Sequence, residues 1–155
     1  MLQLKLVEEK DKLLIETIYR TTREDELNLT NWPESQKQAF VSMQSTAQLA
    51  EYKKNYPGAS YQIIIWKRKP AGRFFVWENE NEIRLIDIIV LPSFRNKGIG
   101  TYLLHELIKR SGAVQKKISL HVEPGNPALQ LYRRLGFVHI KTNGRHYYME
   151  RKPAG

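Results

Sequence analysis

The chain has no cysteine among its 155 residues, which excludes a disulfide framework, a thiolate metal site and a catalytic thiol. It also lacks any apolar run near the ~20 residues of a membrane span, and the opening MLQLKLVEEKDK has no signal-peptide core. A soluble, cytoplasmic protein with no membrane partner is expected. Repeats, low-complexity tracts and internal linkers are absent too, so the expectation is a single domain over 1–152 with a loose tail at 153–155. Acids are in deficit: 16 Asp and Glu face 25 Lys and Arg, for a net charge of +9. That balance favours a polyanionic ligand, whether nucleic acid, acidic substrate or phosphorylated cofactor. The cations are nevertheless scattered (Lys5, Lys53, Arg68, Arg95, Lys116, Arg133, Arg151), as on an ordinary solvated surface. No nucleic-acid motif accompanies them, and no nucleic-acid partner is expected.

What is present is a sequence of periodic segments. Leu2, Leu4 and Leu6 alternate with polar residues as in a half-buried strand, and Leu14, Ile15, Ile18 and Tyr19 fall at helical spacing over about 11–21. TTREDELNLTNWPES has no period and reads as a loop or short irregular turn. Phe40, Met43, Ala47 and Ala50 then mark one face of a second helix, which ends before Tyr56-Pro57-Gly58. Three β-rich runs follow, separated by KPAG and ENEN, both of turn composition. Gly98 opens a helix with an inward stripe of Ile99, Leu103, Leu104, Leu107 and Ile108, and KKISLHV is the next strand; this implies a right-handed parallel crossover. A last helix places Ala128, Leu131, Tyr132 and Leu135 on one side and stops at Gly136. Two strands then surround the hairpin signal Asn143-Gly144. The predicted order is β-α-α-β-β-β-α-β-α-β-β, an α/β (α+β) arrangement.

The segment VLPSFRNKGIGTYLL, residues 90–104, runs from an apolar strand through a basic, glycine-spaced turn directly into a helix. Gly98 and Gly100 remove side chains where backbone N–H groups can converge on an anion, and the helix dipole adds to that pull. A glycine-eased tight turn would have the same composition. Two nucleotide motifs fail on spacing: the third glycine of GxGxxG would fall at Leu103, and the Gly-Lys-Ser/Thr of a Walker loop is missing.

Together with the downstream GNPALQLYRRLGF and the order of elements, this run resembles the GNAT family of N-acetyltransferases, the strong part of the match covering about residues 83–137. The resemblance implies the GNAT fold, a central mixed, mostly antiparallel, splayed sheet with helices on both faces, and acetyl-coenzyme A as acyl donor with no metal. It implies that Arg95, Gly98 and Gly100 occupy the defining positions of the pyrophosphate turn, with Asn96, Lys97, Ile99 and Thr101 supplying intervening amides. It further implies that Ile88, Ile89 and Val90 bind the pantetheine arm through their main chain, one N–H polarising the thioester carbonyl. Tyr132, in the LY pair, would protonate the departing thiolate. Asn126 would contact the cofactor, although NPALQLY is one residue shorter than the common spacing of that motif.

A base must take a proton from the attacking amine. Glu82, Asp87, His121 and Glu123 are the candidates, and His121 is preferred because it sits in the strand LHV where some relatives place a catalytic glutamate and because imidazole titrates near neutral pH. Asp87, breaking an apolar strand, reads equally as a group facing the acceptor or as a satisfied buried acid. The family's acceptor region would offer Arg23, Glu24, Glu26, Trp32, Gln36, Gln44, Tyr147 and Tyr148. The expected activity is acetyl transfer to a primary amine of a small molecule or peptide, by a monomer or homodimer; the alternative is a non-catalytic acyl-CoA-binding module.

Overall fold

In the computed structural model, which describes residues 1–154, the chain runs β1 (Leu2–Leu6), α1 (Lys12–Arg20), α2 (Glu24–Asn28), α3 (Glu34–Asn55), β2 (Ser60–Trp66), β3 (Lys69–Glu78), β4 (Glu82–Val90), α4 (Ile99–Val114), β5 (Lys117–Val122), α5 (Ala128–Arg134), β6 (Val138–Asn143) and β7 (His146–Arg151). The strands hydrogen-bond in the order β1-β2-β3-β4-β5-β7-β6. Pairing is antiparallel for β1 with β2, β5 with β7 and β6 with β7, and parallel for β4 with β5. The parallel register runs from Glu82↔Lys117 to Leu85↔Leu120, while β4 continues to Val90. This is the mixed, mostly antiparallel α/β architecture that the order of periodic segments predicts, with one helix more: the aperiodic stretch after α1 winds into the short α2.

The chain divides into two compact units, one of residues 1–75 and 87–97, the other of residues 76–86 and those from Gly98 onward. In the first, Tyr19, Leu27 and Val41 form a buried cluster with Trp32 and Phe40 packed against it, the two rings edge to face at 5.5 Å. In the second, alternate residues of the strands are buried (Ile83, Leu85; Ile118, Leu120, Val122; Met149), along with Leu103, Leu104 and Leu107 of α4. Of the stretch expected to form a tail, Pro153 and Ala154 carry no regular structure, and residue 155 lies outside the described residues.

Three sequence expectations are corrected. KPAG is not a turn but the start of β3; the β2–β3 reversal is made by Lys67 and Arg68, both with positive φ (49° and 68°). Gly72 serves closeness rather than turning, since a Cβ there would lie 2.0 Å from the Ile89 carbonyl oxygen. The inward face of α3 is Val41 and Ser45, flanked by half-buried Phe40, rather than Met43, Ala47 and Ala50, which are exposed; Met43 is 59% exposed. Polar residues of α3 serve buried charges: the Ser42 hydroxyl and the Gln38 amide donate to buried Glu16, and the Gln48 carbonyl accepts from buried Arg73. A hydrophobic period cannot report a face that carries hydrogen-bond partners. On α5 the buried pair is Leu129 and Tyr132, whereas Ala128, Leu131 and Leu135 are half-buried.

Candidate active site

The turn before α4 is built by backbone conformation. After a 3-10 turn over Pro92–Phe94, Asn96 adopts φ 62° and Gly98 φ 79°, and Gly98 is the N-cap of a 16-residue helix. Left-handed residues this close together curl the main chain so that successive N–H groups face one concavity, an anion nest continuous with the positive end of the helix dipole. Asparagine and glycine are the residues that tolerate that conformation. Added Cβ atoms at Gly98 and Gly100 would meet nothing within 4 Å, so both positions are open. Ile99, 3% exposed, anchors the first turn inward, while Arg95, Asn96 and Lys97 are exposed and Thr101 is half-buried. Arg95 Nε donates to the Val90 carbonyl at 2.9 Å, tying the turn to the end of β4.

Ile88, Ile89 and Val90 are half-buried residues beyond the part of β4 that pairs with β5. The opposite edge is gripped by β3: the Leu91 N–H donates to the Ala71 carbonyl at 2.7 Å, and Gly72 sits against Ile89. Asp87 resolves as a satisfied acid. Arg73, fully buried, donates to it from Nε at 3.0 Å and again from Nη2, which also donates to Gln48 Oε1 at 2.7 Å. The guanidinium lies 4.7 Å from the Phe75 ring centre. Among the described residues, neither Arg73 Nη1 nor the buried Tyr61 hydroxyl has a hydrogen-bond partner. Burial, and next the Asp87 charge, push the Tyr52 phenol up from its ordinary value.

In the second unit, Tyr132 is 5% exposed with its ring 5.6 Å from that of Phe137, whose N–H donates to the Tyr132 carbonyl. Asn126 Oδ1 accepts from the Ala128 N–H at 2.9 Å, an Asx turn that leads into α5. His121 is on the polar side of β5. Partial burial pushes its imidazole below the usual histidine value, and Arg84, His146 and Lys141 add to the effect. It lines a groove of about 490 Å³ with Arg84, Lys141, Asn143, Tyr148 and Glu150. Of the other base candidates, Glu82 accepts from the Ser119 hydroxyl and lies 3.6 Å from Arg84, and exposed Glu123 lies 3.7 Å from His146. Among the described residues, no group of three or more His, Asp and Glu is arranged to hold a metal.

Tyr148 lines the groove and Tyr147 stacks on His139 at 4.6 Å. Trp32 packs against a core cluster, Arg23 bonds to Tyr19 and Glu26, and Glu24 bonds to Arg20; Gln36 is exposed and Gln44 half-buried. Sequence reasoning missed Arg73, Arg84 and Lys141. The only sequence signal bearing on the first was indirect: an acid interrupting an apolar strand needs a cation, but nothing in the sequence says which one.

Residues 26–137 match the model of the acetyltransferase (GNAT) family. The cysteine-rich protein 2-binding protein of Mus musculus is 34% identical over 83 residues, 53% of this chain but 10% of that protein. An N-alpha-acetyltransferase of Sulfurisphaera tokodaii is 36% identical over 73 residues, 45% of this chain and 43% of that protein. The chain therefore spans less than half the length of these relatives. Among solved structures, the PaiA N-acetyltransferase of Thermoplasma acidophilum in complex with coenzyme A superposes with TM-score 0.71 over 98% of this chain and 99% of that one at 17% identity. Ard1 from Thermoplasma volcanium superposes with TM-score 0.66 over 99% of each chain at 18% identity. At such identities these likenesses establish the fold.

Proposed function

The chain belongs to the GNAT acetyltransferase family, whose members use acetyl-CoA and act on amine acceptors, and from that membership we propose that it acetylates a primary amine of a small molecule or peptide by direct attack in a ternary complex. The observation that carries the reading is the nest at residues 95–101: two left-handed residues, open glycine positions and a 16-residue helix beginning there. These are features a pyrophosphate requires, so the residues fit the cosubstrate. In this reading the amides of Asn96, Lys97, Gly98, Ile99, Gly100 and Thr101 hold the phosphates, and Arg95, whose own N–H is bonded to the Pro92 carbonyl, supplies a nearby cation. Ile88, Ile89 and Val90 offer main-chain groups to the pantetheine arm, and Asn126 contacts the cofactor.

The thioester supplies an activated acetyl group. The chain's own residues handle protons: His121 Nε2 or Nδ1, kept neutral by its surroundings, takes one from the amine, and the Tyr132 hydroxyl gives one to the departing sulfur. Residues 1–152 act as one domain, the divisions between the two compact units falling inside the continuous strands β3 and β4 as well as at the turn.

The test is thiol release from acetyl-CoA with a mixed amine library, paired with calorimetry of CoA binding to Gly100→Val. Room at Gly100 keeps the variant folded, and its branched side chain occupies the nest. Affinity is expected to fall at least about tenfold, or 1.4 kcal/mol. Unchanged affinity in the folded variant would remove the pyrophosphate assignment.

A further inference from the structure

The end of β4 that carries Ile88, Ile89 and Val90 lies past its register with β5, and a short segment of β3 fixes where it runs. The Ala71 carbonyl accepts from the Leu91 N–H at 2.7 Å. At Gly72 the Ile89 carbonyl oxygen fills the space of a side chain: a Cβ would stand 2.0 Å from that oxygen and 3.0 Å from the Val90 Cα. Arg73 then reaches Asp87, the residue just before the three, with Nε and Nη2 both donating to Oδ2.

Stability does not account for the last of these contacts. Arg73 has 0% exposure, and an ion pair so placed is commonly matched or bettered by apolar side chains of similar volume, because both charges must be desolvated. Its satisfaction is also incomplete. Nη1 has no hydrogen-bond partner among the described residues, and a partly satisfied buried network is costly.

What a guanidinium and a carboxylate supply, and apolar groups do not, is direction. Two coplanar donors meeting on one oxygen admit a narrow range of positions for it. The fork is itself fixed from behind, with Nη2 donating to Gln48 Oε1 at 2.7 Å and the guanidinium 4.7 Å from the Phe75 ring centre. Asp87 is thereby tied to a sealed point of the core, and the main chain leaving it is tied too.

We propose that Arg73, acting through Asp87 and beside Gly72, is a positioning residue for the acyl donor: it sets the main chain of residues 88–90 where those groups meet the pantetheine arm. This inference rests on the acetyl-transfer reading above, in which the arm lies along these residues. The pyrophosphate turn has its own conformational support in left-handed Asn96 and Gly98, so the two parts of the cosubstrate are separable.

ADP, which has the adenosine and pyrophosphate of coenzyme A without the arm, separates them. Calorimetry of CoA binding, and displacement of CoA by ADP, give the ratio of the two affinities, which a loss of folded protein leaves unchanged. In the double variant Arg73→Met with Asp87→Leu, apolar groups replace the ion pair; CoA affinity is expected to fall about tenfold and ADP affinity to stay within about twofold. Asp87→Asn runs the other way. Its amide oxygen still accepts from the fork, so the ratio is expected to stay within about threefold of wild type, while the denaturation midpoint drops because a buried cation has lost its counter-charge. Arg73→Lys keeps the charge without the fork, is expected to lower the ratio, and decides the matter should the double variant not fold. An unchanged ratio in the folded double variant or in Arg73→Lys, or a ratio that simply follows stability across the variants, overturns the positioning role and leaves pyrophosphate binding standing. Failure of ADP to displace CoA from the wild type, with CoA affinity also unmoved by Gly100→Val, overturns the nest and this inference with it.

Discussion

Arg73 and Arg84 stand on successive strands, and each lies close to a carboxylate, but the two clusters are built for different ends. Arg73 is wholly buried, bonded to Asp87 and Gln48 and covered by Phe75. Arg84 is partly open at 13% exposure, shares Ser119 with Glu82 and lines a groove. Charge of the same type is structural where it is sealed and chemical where it borders open volume. Sealed, it fixes the end of β4 by the same β3 residues that bring Gly72 against Ile89. Open, it leaves a field that acts on His121 and on whatever enters.

The largest contrast is expected from cutting each acid away. Asp87→Ala would leave a guanidinium buried without its counter-charge, a change that costs about 3–5 kcal/mol. Glu82→Ala leaves Arg84 beside an open groove, with Ser119 still bonded, and is expected to cost about 1 kcal/mol. Chemical denaturation of the two variants measures both. Equal losses would mean that the clusters do not differ in kind.

Activity should divide the clusters the other way. His121→Ala removes an exposed imidazole and is expected to lower kcat by about 10²–10⁴-fold, the usual worth of general base help. Folding stability should stay within about 1 kcal/mol, as for surface substitutions in general. Retention of full turnover would return the proton to Glu82, Glu123 or solvent.

Legibility in the sequence follows the same division. The turn at 95–101 could be read because glycines spaced before a helix carry their own conformational meaning; the structure has Gly98 left-handed there, while the second left-handed residue is Asn96 rather than Gly100. His121 and Tyr132 could be named because they stand in short motifs. Arg73 could not be placed, since its partners come from α3 and β4, distant in sequence, and Gln48 and Ser42 sit on a helix face that hydrophobic periodicity reads as outward. The KPAG stretch misled for a related reason: glycine there answers the closeness of Ile89, a tertiary demand that imitates turn chemistry. Lys141 and Arg84 had no motif at all. Their meaning appears only when the registers of β5, β6 and β7 bring Tyr148 between them and His121.

The smallest effect is the most specific. The His121 imidazole is held below its ordinary value by partial burial first, and then by the positive charges of Arg84, His146 and Lys141. A base with a lowered pKa is already deprotonated at mildly acidic pH, so the rising limb of kcat/KM, which reports the free enzyme, should lie below that of an ordinary histidine. Lys141→Gln removes one of the cations that disfavour the protonated ring. Protonation of His121 then becomes easier, its pKa rises, and the limb moves toward higher pH. Because Lys141 is an exposed and screened charge, the loss is expected to be about two- to threefold in rate near pH 6, vanishing above pH 8 and diminishing at high salt. A limb that moves to lower pH, or that stays put at low ionic strength, would separate His121 from the field of the groove.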